Sequence, residues 1–196
     1  LFTTGYLTQA GRTEAGTYKL VIPNHEIREV FRFQIQEWFK NAVFSNTEQL
    51  TAFWKAIEGG DTSAMEAYLN RLLSNSISVF DIKARKEEKE SSYHNLLVGI
   101  LTGNADWLVK SNVEAGEGFA DIIVETDDPD AGIVIELKYT KSFDEMETAC
   151  QKALDQIQDR RYQEFLINDD RKDIRLYGIT FCKKRCRAIT EVLPNQ

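Results

Sequence analysis

Ala120-Asp121-Ile122-Ile123-Val124-Glu125-Thr126-Asp127-Asp128-Pro129-Asp130-Ala131-Gly132-Ile133-Val134-Ile135-Glu136-Leu137-Lys138-Tyr139 is the stretch on which the reading of this 196-residue chain turns. Two runs rich in β-branched residues flank Asp127, Asp128, Pro129 and Asp130, whose side chains favour turns, so the segment predicts a hairpin with strands at 120–125 and 133–139. A turn centred between Asp128 and Pro129 sets Asp121 opposite Glu136 and Ile122 opposite Ile135. Side chains alternate along a strand. Asp121 and Ile123 therefore share a face with Val134, Glu136 and Lys138, while Ile122, Val124, Ile133, Ile135 and Leu137 line the other face as core.

Two carboxylates and an ammonium in so apolar a pair of strands are costly unless something compensates them. Directly opposed residues have Cβ atoms about 4.5–5.5 Å apart, close enough for both carboxylates to ligate one hard cation such as Mg²⁺ or Mn²⁺. Lys138 reaches the same point from one pleat further on. A cation there offsets the carboxylate repulsion, lowers the pKa of a bound water and neutralises charge on a phosphate, while the lysine positions the nucleophile. A salt bridge from Lys138 to Glu136 or Asp121 satisfies the same spacing, and spacing alone leaves both readings open.

Outward from the hairpin, residues 88–101 form a helical pattern with Tyr93, Leu96, Leu97, Ile100 and Leu101 on one face, ended by Thr102-Gly103-Asn104. A strand is expected at 107–113, a helix at 143–165, and strands at 174–181 and 186–190. Upstream, helices are expected at 48–57 and 63–74, separated by Gly59-Gly60-Asp61. Residues 5–8 and 17–22 suggest a hairpin around a turn region at 11–16. Pro23-Asn24 then stops the strand, with Asn24 as N-cap of a helix carrying Ile27, Val30, Phe31, Phe33, Ile35, Trp38 and Phe39. The mixed-sign run at 83–90 leads into the next helix without Pro or Gly, and no flexible linker, repeat or low-complexity stretch interrupts the chain.

With 42% hydrophobic and 28% charged residues, the composition is that of a globular protein with a sizeable core. There is no apolar run of the roughly 18 residues that a membrane span needs, and no basic-then-apolar leader, so a cytoplasmic protein is expected. Leu1 in place of Met, and opening strands without a preceding partner, suggest a piece of a longer polypeptide. Cys150, Cys182 and Cys186 match no common zinc spacing and are expected to be reduced, structural thiols. A net charge of −7 argues against a large positive field for nucleic acid, so any such binding must be local. Arg171, Lys172, Arg175, Lys183, Lys184, Arg185 and Arg187 run the other way. A charged, protected strand edge and a phosphate-tracking patch explain them equally well.

Asp121, the hairpin and Ile133-Val134-Ile135-Glu136-Leu137-Lys138, within a helix–strand–strand–strand–helix–strand order, resemble the PD-(D/E)XK nuclease superfamily. More narrowly, Tyr93-His94, the stretch from Ser111 to Asp121, and Gln156-Ile157 with Tyr162 are similar to the nuclease-like domain that follows AAA-ATPase-like domains in many prokaryotic proteins. Gly5-Tyr6-Leu7-Thr8 and Ile22-Pro23-Asn24 resemble the junction region of that family. The resemblance implies an α/β (α+β) fold with a restriction-endonuclease-like core: a central mixed sheet flanked by helices, order αβββαβ plus a further strand, preceded by a small helical unit and an N-terminal hairpin. It divides the chain into the tail of an ATPase-like region with its linker helix (1–45), the helical unit (46–85) and the nuclease-like domain (86–196).

The same resemblance implies Asp121 and Glu136 as metal ligands, Lys138 as the catalytic lysine and Mg²⁺ (or Mn²⁺) as cofactor. Glu90, one turn before His94, matches the acidic residue often supplied by the first helix, and Gln156 the accessory glutamine of the second. His94, beside Leu97 and Leu101, fits either a catalytic group or a hydrogen-bonded core histidine. Gln156 and Tyr162 stand about 120° apart on an ideal helix, which gives no reason for them to reach one site. Gly116 and Gly118 fit a tight turn or a phosphate-binding loop. Where many relatives carry arginines, this sequence has Val113 and Phe119.

The expected function is metal-dependent phosphodiester hydrolysis of nucleic acid, DNA in the first place, by a module of a larger ATPase-linked protein. The alternative is a catalytically inactive nuclease-fold module for protein or nucleic-acid recognition, favoured by the acidic charge and the missing arginines. In a third reading the upstream ATPase-like domain does the work and the helical unit couples it to a recognition module. The expected partners are DNA and that ATPase-like domain, with no membrane.

Overall fold

The computed structural model describes residues 6–12, 16–75 and 86–193. Gly5 of the expected first strand, residues 13–15 of the expected turn and residues 83–85 of the mixed-sign run lie outside them. The chain divides into two compact units, Leu1–Ser45 and Asn46–Gln196.

In the first unit, strands β1 (Thr8–Arg12) and β2 (Tyr18–Val21) pair antiparallel, with an irregularity between Gln9 and Arg12. The first strand thus begins where the one expected from the sequence ends. Helix α1 (His25–Val43) starts as expected: the Asn24 side chain accepts the Ile27 N–H at 3.0 Å.

The second unit opens with α2 (Thr47–Gly59) and α3 (Thr62–Asn75), followed by α4 (Lys86–Leu101). Strands β3 (Leu108–Ala115), β4 (Gly118–Glu125), β5 (Ala131–Tyr139), β6 (Asp173–Cys182) and β7 (Arg185–Val192) form one sheet in the order β3-β4-β5-β6-β7. The β4–β5 hairpin has the expected register, Ile122 opposite Ile135 and Ile123 opposite Val134. Among the described strands only β5 and β6 are parallel, and a parallel pair needs a crossover, which α5 (Met146–Asp159) and the short α6 (Glu164–Ile167) provide.

Ile123 and Val134 pack with Leu154, Ile157, Leu166 and Leu176 in a core formed with α5 and α6. Ala115 and Ala120 belong to the same cluster. Strict alternation would turn Ala120 and Ile123 to opposite faces, so the strands reverse face between them. A second layer is built around α4: the Tyr93 ring stacks on Phe181 at 4.5 Å and on Tyr139 at 5.9 Å. At the β7 edge, Asn70 and Glu66 of α3 accept the Cys186 and Ala188 N–H groups at 2.6 and 2.9 Å. Unpaired edge donors are thereby covered within the chain. The three cysteines are buried and unbridged.

The helix expected at 143–165 is interrupted for a tertiary reason. Gly116, with φ of +51°, turns β3 into β4 directly against the end of α5, and the Glu117 N–H donates to the Arg160 carbonyl at 2.7 Å. A Cβ on Gly116 would stand 2.2 Å from that oxygen, so the turn fits only without a side chain. The chain leaves the helix at Arg161, whose φ is +55°, and Tyr162 follows.

Candidate active site

Asp121 sits where the ladder fails on both sides. Towards β3, Ser111 pairs with Ile122 and Val113 with Ala120, skipping Asn112 and Asp121, and Asn112 has a φ of +51°. Towards β5 the pairing stops at Ile122 and Ile135, so the expected opposition of Asp121 and Glu136 is not part of the ladder although the register leads to it. The Asp121 side chain takes over instead: Oδ2 accepts the Leu137 N–H at 2.8 Å. Its main-chain carbonyl lies 3.0 Å from His94 Nε2.

Glu136, 3% exposed, projects from β5 towards α5. Its Oε1 accepts from Lys138 Nζ at 2.7 Å and from Gln156 Nε2 at 2.6 Å, while its Oε2 is buried without a hydrogen-bond partner. Lys138 also donates to Gln156 Oε1 at 2.8 Å, so both ends of the glutamine amide are committed. Gly178 of β6 stands beside Glu136, and a Cβ there would come within 2.1 Å of the Cys150 carbonyl. The absent side chain lets α5 lie close on the sheet and bring Gln156 to the site.

Tyr162 also reaches the site, contrary to ideal helical geometry: Gln156 Nε2 is 3.2 Å from its hydroxyl. The 120° offset does not apply because α5 ends at Asp159 and the chain folds back at Arg161. The remaining sequence candidate, Glu90, lies partly buried on α4, one turn before the buried His94. Sequence reasoning missed Leu137, whose contribution is a main-chain N–H, and Gly178. An isolated glycine inside a strand is a recognised sign of close backbone approach and was the available signal for the latter.

Burial, reinforced by the neighbouring Asp121 carboxylate and opposed by Lys138, pushes the Glu136 carboxyl from its ordinary 4.5 up to about 7. Between those values the folded protein keeps a proton that the unfolded chain has released, so this group's contribution to stability falls as pH rises through the window. Glu136→Gln is therefore expected to gain on the metal-free native protein by roughly 1–3 kcal/mol between about pH 4.5 and pH 8. Urea unfolding in a chelator at both ends of the window checks it. A Glu136→Gln protein that loses ground as pH rises would mean that the Lys138 ion pair outweighs burial.

The basic residues near the C-terminus do not make one patch. The ten residues of β6, roughly 30 Å of extended chain, separate Arg171 and Lys172 from Lys183–Arg185. Arg171 donates to the Asp128 carbonyl at 3.0 Å and to that of Ala131, and Arg175 donates to the Glu58 carbonyl at 3.1 Å. Arg187 pairs with Glu66 at 3.5 Å and Glu147 at 3.8 Å. These three arginines tie parts of the fold together.

A mixed sheet in this order, crossed by a helix at its parallel step and bearing Asp, Glu and Lys on the central hairpin, is a restriction-endonuclease-like core. The family model of the PD-(D/E)XK nuclease superfamily matches residues 88–191, more than half of the chain, and the protein belongs to that superfamily. Comparison with curated proteins gave no match. Nucleases of this superfamily typically use divalent metal ions. Among the described residues, no helix is long and apolar enough to cross a membrane.

Proposed function

We propose that this protein is a Mg²⁺- or Mn²⁺-dependent phosphodiesterase acting on nucleic acid, DNA in the first place, with Asp121 and Glu136 holding the metal. The observation that carries this reading is Glu136 Oε2, a buried carboxylate oxygen without a partner beside a second carboxylate. Leaving a carboxylate oxygen buried without a partner is expensive; the other such buried side-chain atom among the described residues, Gln163 Oε1, belongs to a neutral amide, whereas two hard carboxylate oxygen donors suit a hard divalent cation. Among the described residues no three His, Cys, Asp or Glu side chains form a cation cluster, so water and substrate oxygens would complete the shell.

The bound metal would supply Lewis-acid stabilisation of the phosphate and a more acidic water. The chain's own groups do the rest. Lys138, steadied by Glu136 and Gln156, presents an ammonium to a phosphate oxygen or to the attacking water. Gln156, held by Tyr162, keeps Glu136 and Lys138 in a fixed relation. Glu90 is the further acidic group that the family pattern supplies from the first helix.

The same reading extends to organisation: residues 1–45 as the junction to an ATPase-like domain, 46–85 as a small helical unit and 86–196 as the nuclease-like domain. The junction motifs support it. A catalytically inactive recognition module is the second reading, favoured by the net charge of −7, by Val113 and Phe119, and by the internal use of Arg171, Arg175 and Arg187.

Calorimetric titration of Mg²⁺ and Mn²⁺ into the protein, beside folded Asp121→Ala and Glu136→Ala variants, tests the choice, followed by cleavage assays on single- and double-stranded DNA. Binding that both variants lose, together with metal-dependent cleavage, is expected. Failure of a folded protein to bind metal at millimolar concentration would defeat the nuclease reading in favour of recognition.

A further inference from the structure

We propose that His94 is a positioning residue that sets the Asp121 carboxylate by holding the main chain of the same residue. Its importance for the metal rests on Asp121 being a ligand, as proposed above; the contact itself does not.

In an unbroken antiparallel ladder the main-chain groups of Asp121 would bond to neighbouring strands. The pairing skips this residue towards β3 and ends before it towards β5, so its carbonyl needs another donor. His94 Nε2, on a residue only 7% exposed, lies 3.0 Å away. A carbonyl can only accept, so Nε2 carries the proton and the tautomer is fixed. Ser111 Oγ lies 3.2 Å from the same nitrogen and is approached by the Asn112 amide at 3.4 Å. One imidazole on α4 therefore grips both strands at the gap, Ser111 on β3 and Asp121 on β4.

The carboxylate is fixed from its other end, since Oδ2 accepts the Leu137 N–H at 2.8 Å. With the peptide held by His94 and one oxygen held by Leu137, Oδ1 is the oxygen left without a hydrogen bond to any described residue. Removing the imidazole would leave the carbonyl unsatisfied. The Asp121 peptide could then turn back towards Asn112 and draw the carboxylate off Leu137.

The test compares His94→Leu, which deletes the donor, with His94→Gln, whose amide nitrogen can occupy the place of Nε2. In metal-free protein, His94→Leu should speed amide exchange at Leu137 by about tenfold relative to Ile179 in the undisturbed β5–β6 ladder, with His94→Gln restoring most of the protection. Mn²⁺ affinity measured by calorimetry should fall 10- to 100-fold, as is typical when a partner of a metal ligand is removed, and recover in His94→Gln. Unchanged Leu137 exchange in folded His94→Leu overturns the proposal. So does a nitrogen spectrum of the native protein showing the proton on Nδ1, a measurement that stands even if His94→Leu does not fold. If native protein binds no Mn²⁺, the metal reading fails while exchange at Leu137 still decides the role of His94.

Discussion

Lys138→Met is expected to slow metal-dependent cleavage by about a thousandfold, the scale seen when one preorganised donor to a reacting oxygen is lost. The ammonium lies 2.7 Å from Glu136 and 2.8 Å from Gln156, with the side chain 23% exposed, so it is steadied from the protein side while keeping access to solvent. Methionine preserves much of the aliphatic stem and its packing, which confines the change to the charge and its hydrogen bonds. Removing the cation also removes a group that holds the Glu136 carboxyl down, so assays belong at about pH 8.5, where that carboxyl can ionise. Single-turnover cleavage paired with Mn²⁺ calorimetry separates the effects: the rate should collapse while metal affinity stays within about tenfold. A loss in rate below about tenfold would remove Lys138 from the chemistry.

Gly178→Ala is expected to cost about 3 kcal/mol, the upper part of the usual range for overpacking. The new Cβ would lie 2.1 Å from the Cys150 carbonyl oxygen and 3.2 Å from the Ala153 Cβ, so α5 must lift from the sheet. A rotamer change cannot relieve a clash with main chain. For a chain of this size such a loss lowers the melting temperature by roughly 6–12 °C. Gln156 rides on the same helix, so the bonds to Glu136 and Lys138 should loosen as well, and Mn²⁺ affinity should drop with stability. A variant that melts within about 2 °C of the native protein would show that α5 does not sit on Gly178 as described.

Much of the candidate site was legible in sequence because it depends on local rules. The turn chemistry of Asp127–Asp130 fixed the β4–β5 register, which the pairing of Ile122 with Ile135 matches. Period-two alternation on the two strands then brought Asp121, Glu136 and Lys138 to notice against an apolar background but left a salt bridge and a metal site equally open, and the alternation itself breaks between Ala120 and Ile123. Where local rules were broken by a neighbour, reading failed. The helix expected to run to residue 165 ends at Asp159, where the Gly116 turn is packed, and so Tyr162 joins Gln156. The C-terminal basic run looked like one feature, but a strand spreads it out and three of its arginines bond within the fold.

What the sequence by itself determined, then, is the order of elements along the chain around the hairpin, the register of the hairpin and the residue types of the charged centre, since turn propensity and side-chain periodicity act over a few neighbouring residues. Only the tertiary structure decided that the ladder breaks at Asn112 and Asp121, that His94 and Leu137 take over the orphaned groups, and that one oxygen of Glu136 stays buried without a partner. Those features depend on how closely α4 and α5 approach the sheet, and that distance is set by packing between segments far apart in the chain.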